Sequence, residues 1–170
     1  MQEAEEDFGR AQILEELARQ VIELAREREL RLATAESLTG GMVGNYLCTV
    51  PGASAVYQGG VISYSNAVKE QVLGVDGALL AHQGSVDPMV AEQMASGVAR
   101  VCGAELAIST TGVAGPDSHD GKPVGRVYLG LTDFSGSKNI EKNYEGTRSY
   151  IRFQSTREAL NILVESLVKI

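Results

Sequence analysis

In this 170-residue sequence a serine and a lysine, Ser37 and Lys69, could together carry covalent chemistry on a carbonyl carbon. A serine hydroxyl is a weak nucleophile until a base removes its proton. Histidine, the commonest base for that step, is scarce here, with only His82 and His119 in the chain. A lysine kept neutral by burial can do the same work, and Ser/Lys pairs are a recognised variant of the Ser-His-Asp arrangement. Tyr64 lies five residues before Lys69, where its phenol could bond the amine or relay a proton. Sequence spacing alone does not bring these groups together.

Each of the three segments that could form a site has a structural alternative. Glu36-Ser37-Leu38-Thr39-Gly40-Gly41 lies between an expected strand and helix, where α/β folds bind ligands against unpaired helix N–H groups. Equally, Thr39 can cap that helix and the glycines can serve close packing. Tyr64-Ser65-Asn66-Ala67-Val68-Lys69 sits at the next strand-to-helix junction, and its lysine can serve a ligand or be solvated. Gly112-Val113-Ala114-Gly115-Pro116 can form a nest of N–H groups for a phosphate or oxyanion, or simply a tight turn. It matches neither a Walker A loop nor GxGxxG.

Other chemistries fit poorly. The two histidines are far in sequence from Cys48 and Cys102, which argues against a zinc cluster. His119 lies beside Asp117 and Asp120 in a polar loop that reads as solvated rather than metal-binding. A net charge of −7 disfavours a broad nucleic-acid surface but leaves room for a local anion pocket. The two cysteines form no disulfide framework and are expected as buried thiols. No apolar run reaches the length of a membrane span, and the acidic start Met1-Gln2-Glu3-Ala4-Glu5-Glu6-Asp7 does not resemble a signal peptide, so a cytoplasmic location is expected. Glycine, at 19 residues, is about 11% of the chain against a usual ~7%, so sharp turns or close approaches are expected.

The elements that must carry these residues can be read from periodicity. Residues 1–8 are expected as a frayed acidic end, followed by a single domain over 9–170. Leu14, Leu17, Ala18, Val21, Ile22 and Ala25 recur at helical spacing between Arg10 and Arg28. That amphipathic helix would cover the sheet or join an interface between copies. Leu30–Ala35, Val61–Tyr64 and Leu106–Ser109 read as strands, and Val124–Phe134 with Lys138–Tyr144 as a hairpin around Gly136. Helices are expected from Met42 to Val50, after a Ser65-Asn66 cap, from Asp87-Pro88, and from Thr147 to the C-terminus. Strands alternating with helices predict an α/β fold, a three-layer α/β/α sandwich around a mixed sheet.

The segments taken together resemble the CinA C-terminal-domain family, the nicotinamide-nucleotide amidohydrolases. The resemblance is carried by Thr34-Ala35-Glu36-Ser37-Leu38-Thr39-Gly40-Gly41, by Gly60 through Lys69, by Gly84-Ser85-Val86, and by Thr111 through Pro116. Lys122-Pro123-Val124-Gly125 and Gly146-Thr147-Arg148 with Arg152 extend it, so that it runs from about Leu14 to the C-terminus. It implies a mixed, mainly parallel five-stranded sheet and a stand-alone form of the domain. It also implies hydrolysis of nicotinamide mononucleotide to nicotinic acid mononucleotide and ammonia, without metal or cofactor. Ser37 would be the nucleophile, Lys69 the general base and Tyr64 the assisting phenol. Substrate-binding residues expected on this reading are Glu36, Thr39, Gly40, Gly41, Asn66, Gly112, Ala114, Gly115, Arg148 and Arg152. The partner is the small-molecule substrate, with no nucleic acid or membrane, and a homo-oligomer, such as a dimer, is expected. Departures from the family pattern are Leu38, Arg126 and the loop Asp117–Lys122. Two rival readings remain: a non-catalytic nucleotide-binding module, and an amidase for another small carboxamide.

Overall fold

A computed structural model describes residues 2–170, with side chains from Asp7 onward. Of the end expected to be frayed, residues 1–8, all but the first are described, and they belong to a helix. Helix α1 spans Gln2–Glu27, starting well before Arg10. Strand β1 (Leu32–Glu36) follows, then α2 (Met42–Thr49), a 3-10 turn at Ala53–Ala55 and β2 (Tyr57–Ile62). Next come α3 (Asn66–Gln71), α4 (Gly77–Gln83), α5 (Pro88–Cys102) and β3 (Leu106–Gly112). The hairpin β4 (Arg126–Asp133) and β5 (Gly136–Asn143) and the long α6 (Arg148–Lys169) complete the chain.

The sheet has five strands in the order β2-β1-β3-β4-β5. β2, β1 and β3 are parallel, and β4 is antiparallel to both β3 and β5. Four of the five strands therefore point one way, in agreement with a mixed, mainly parallel sheet. Strand alternation divides the interior into two layers. Leu32, Leu106, Ile108, Val127, Leu129 and Leu131 face α1, α2 and α6. Ala33, Ala35 and Ala107 face α5 and the short α3 and α4.

The residues on the α5 side are small for a reason. Ser109 donates from its hydroxyl to the Ala91 carbonyl of α5 at 2.6 Å and accepts from the Gly130 N–H at 3.1 Å. The α5 backbone thus lies almost on the sheet. A Cβ added at Gly130 would stand 2.1 Å from the Ala91 carbonyl oxygen. Gly130→Ala should therefore lower stability by about 1–3 kcal/mol through overpacking. Urea denaturation checks this: the midpoint should fall with the slope unchanged.

Caps agree with the sequence at Ser65, Asp87 and Thr147, each of which accepts a backbone N–H of the following turn. Helix α4 is not foreseen. It has only seven residues, capped by Asp76, too few for a periodic pattern. The cysteines depart from expectation as well. Cys48 is exposed and Cys102 only partly buried, each in the last turn of its helix. Among the described residues, no helix is long and apolar enough to cross a membrane.

Candidate active site

Ser37 is the first residue beyond β1, at the C-terminal edge of the parallel strands. Its N–H continues the ladder to the Thr110 carbonyl at 2.9 Å, and the Ser63 N–H reaches the Glu36 carbonyl at 2.8 Å. The chain then reverses through Gly40 and Gly41, both at positive φ (61° and 97°), a backbone that glycine adopts without strain. Ser37 is thus held on a tight turn between a strand and α2.

Glu36 fixes that turn from beneath. Its buried carboxylate accepts the N–H groups of Gly41, Val43 and Gly44 at 2.9, 3.1 and 2.8 Å, and the Thr39 hydroxyl at 2.7 Å. A carboxylate is held well at a helix N-terminus, where unpaired N–H groups and the dipole favour negative charge. Since Thr39 gives its proton to Glu36, the Thr110 hydroxyl donates to Thr39 at 2.7 Å. Arg152 holds the same turn from α6, with Nε on the Leu38 carbonyl at 2.9 Å and Nη2 on the Thr39 carbonyl at 3.0 Å.

Lys69 comes from α3 and is only 1% exposed. Its Nζ donates to the Ser63 carbonyl at 2.6 Å and to Ser37 Oγ at 3.2 Å. Burial lowers the amine from 10.5 to about 8, while the charge of Asp120 opposes that fall. At pH 7 about one such amine in ten is neutral, roughly 300-fold more than for an unperturbed lysine. The pair can therefore exchange a proton along the 3.2 Å contact near neutrality.

Beside the pair opens a cavity of about 340 Å³. Ser37, Leu38 and Tyr64 form one side, Gly112 through Asp117 the floor, and Ser85, Ser118, His119 and Arg148 the remainder. Arg148 donates to the Gly115 carbonyl at 2.7 Å and to the Tyr64 hydroxyl at 3.0 Å. Tyr64 is 63% exposed, and its phenol meets this guanidinium rather than the Lys69 amine. Among the described residues, the N–H groups of Leu38, Thr39, Ala114 and Gly115 have no acceptor.

The residues expected at the site therefore separate into two groups. Ser37, Tyr64, Gly112, Ala114, Gly115 and Arg148 line the cavity, with Lys69 behind Ser37. Glu36, Thr39, Gly40, Gly41, Asn66 and Arg152 do not line it. Of these, Glu36, Thr39 and Arg152 are bonded within the turn that carries Ser37. Asn66 lies in the first turn of α3, next to its Ser65 cap. Ser85 and His119 line the cavity but are absent from the expected set. The Gly84-Ser85-Val86 motif was a usable signal for Ser85, whereas a polar loop gives none for His119.

A strand-edge serine bonded to a buried lysine over a lined cavity defines a candidate serine–lysine site on an α/β/α scaffold. Comparison with known proteins gives the family. The family pattern described as CinA C-terminal domain matches residues 14–167, and the chain belongs to that family. A CinA-like protein of Anaeromyxobacter dehalogenans is 44% identical over 160 residues, covering 94% of this chain and 39% of the relative. A putative competence-damage inducible protein of Bacillus pumilus is 39% identical over 151 residues, covering 89% and 36%. The chain thus spans less than two-fifths of the length of these curated relatives. Among solved structures, a CinA superfamily protein of Klebsiella pneumoniae superposes with a TM-score of 0.88 at 31% identity, covering 92% of this chain and 99% of that one. The competence/damage inducible protein CihA of Agrobacterium tumefaciens gives 0.86 at 36% identity, with 90% and 94% covered.

Proposed function

We propose that this chain is an amidohydrolase that converts nicotinamide mononucleotide to nicotinic acid mononucleotide and ammonia through a covalent Ser37 ester. The observation that carries the reading is the 3.2 Å contact between a buried, pKa-lowered amine and a cavity-facing serine hydroxyl. The family resemblance supplies the substrate.

Neutral Lys69 takes the Ser37 proton as Oγ attacks the carboxamide carbon. The tetrahedral oxygen is received by the free N–H group of Leu38, which lines the cavity beside Ser37. The Gly40 and Gly41 N–H groups are already bonded to the Ser37 carbonyl and to Glu36. One such donor is worth about 3 kcal/mol to an oxyanion. Protonated Lys69 then delivers its proton to the leaving nitrogen, and the C–N bond breaks to give ammonia and the acyl-enzyme. Water, deprotonated by Lys69, hydrolyses the ester and restores Ser37. The substrate phosphate is received by the Ala114 and Gly115 N–H groups with Arg148 beside them.

An ammonia-release assay on nicotinamide mononucleotide, nicotinamide riboside and nicotinamide tests this. Turnover should be highest for the phosphorylated compound. Binding of the nucleotide with no ammonia from any of the three would instead identify a non-catalytic nucleotide-binding module. Preference for an amide without phosphate would overturn the substrate assignment.

A further inference from the structure

The loop that departs from the family pattern is a built element, and it reaches the Lys69 site. His119 and Lys122 exchange both backbone hydrogen bonds, N to O at 3.2 and 2.9 Å. Between them Asp120 and Gly121 both take positive φ (50° and 69°). Two successive left-handed residues make the tight hairpin turn that Asp-Gly favours. At its tip, Asp120 Oδ2 accepts the Ser85 N–H at 2.6 Å and the Ser85 hydroxyl at 3.0 Å. The fit depends on Gly84, where a Cβ would lie 2.4 Å from the Asp120 carboxyl carbon. Ser85 is itself anchored, its carbonyl accepting the buried Thr111 hydroxyl at 2.7 Å. The strap so formed supplies Asp117, Ser118 and His119 to the cavity wall.

We infer that Asp120 is a positioning residue of the candidate site: its carboxylate latches the 117–122 strap onto Ser85, so that Asp117, Ser118 and His119 form part of the wall of the cavity that Ser37 lines. The inference rests on the amidohydrolase reading for its kinetic consequences only. Burial alone would push the Asp120 carboxyl up, but the Ser85 N–H and hydroxyl and the neighbouring His119 hold it below the usual aspartate range, so it stays ionised at neutral pH. Several other charged or titratable groups surround the site. Glu36 lies under the Ser37 turn within a cage of N–H donors. Tyr64, Arg148, Asp117 and His119 ring the cavity, and Glu70 is next on α3. Against the effect of burial, the charge of Asp120 raises the Lys69 amine and favours its charged form. Removing it lowers the pH at which Lys69 becomes a base.

Asp120→Asn keeps the shape and an oxygen acceptor for Ser85 while deleting the charge. Two measurements read the result: the pH dependence of kcat/KM for ammonia release from nicotinamide mononucleotide, and an NMR titration of the 13C-labelled Lys69 side chain. Both midpoints should move down by about half a pH unit or more. Ser85→Ala keeps the charge and loosens the latch, so it should raise KM several-fold with the midpoint unmoved. An unmoved Lys69 midpoint in Asp120→Asn overturns the electrostatic role, and an unchanged KM in Ser85→Ala overturns the latch. A wild-type protein that releases no ammonia refutes the amidohydrolase reading instead; the NMR titration then still decides the effect of the Asp120 charge, and the Kd for the nucleotide in place of KM decides the latch.

Discussion

Ser37→Ala should lower ammonia release by about 10³-fold or more, because among the described residues no other hydroxyl is bonded to the Lys69 amine to take over the attack. The fold should persist. The Ser37 backbone N–H keeps its bond to Thr110, and the turn stays held by Glu36 and Arg152. Only the 3.2 Å contact from Lys69 is lost, a change of about 1 kcal/mol. Binding should also persist, since Arg148 and the Ala114–Gly115 backbone are untouched. The expected pattern is a collapsed kcat with the Kd for nicotinamide mononucleotide within about threefold of wild type, a difference of under 1 kcal/mol. Calorimetric binding together with the ammonia assay checks this. Turnover at the wild-type rate would eliminate the covalent route.

What was legible in the sequence, and what was not, follows from the kind of signal each residue leaves. Ser37 and the Gly112–Gly115 loop stand at the ends of β1 and β3, and Lys69 lies in the short α3 that follows β2, places that periodicity, capping residues and glycine mark well. Burial was legible for apolar stripes such as Leu14, Ala18, Val21 and Ile22, all at the core. Direction was not legible. Glu36 and Ser37 are adjacent, yet the carboxylate points under α2 while Ser37 lines the cavity. Arg148 and Arg152 are one helical turn apart on α6. The first lines the cavity and the second reaches the carbonyls of the Ser37 turn. A shared helix face could not separate them, because a guanidinium reaches several ångströms in either direction. Asp120 was hidden for a different reason: a polar loop reads as solvated unless its partner is known, and Ser85 lies 35 residues away.

Lys69→Met should cut turnover steeply and also alter how stability depends on pH, and the second effect isolates the buried amine. Loss of the base should cost on the order of 10²–10⁴ in kcat/KM. In the wild type, kcat/KM should rise with pH and level off above about 8, where the amine is neutral. For stability the sign is fixed by proton counting. The folded amine sits at about 8 and the unfolded one near 10.5, so between those values the unfolded chain binds more protons. Stability then increases with pH across that window. Below about 8 the full penalty of burying a charge is present, about 3 kcal/mol at 1.4 kcal/mol per pH unit. Methionine fills a similar volume and carries no charge, but it leaves the Ser63 carbonyl without its donor, a loss of about 1–3 kcal/mol. The difference in unfolding free energy, wild type minus Lys69→Met, should therefore climb by about 3 kcal/mol between pH 8 and 10.5. Tyr57 and Tyr144, both raised by burial, titrate in both proteins and cancel from that difference. Urea unfolding at a series of pH values measures it. A flat difference would mean that the amine is solvated and charged in the folded state, and Ser37 would then have no base.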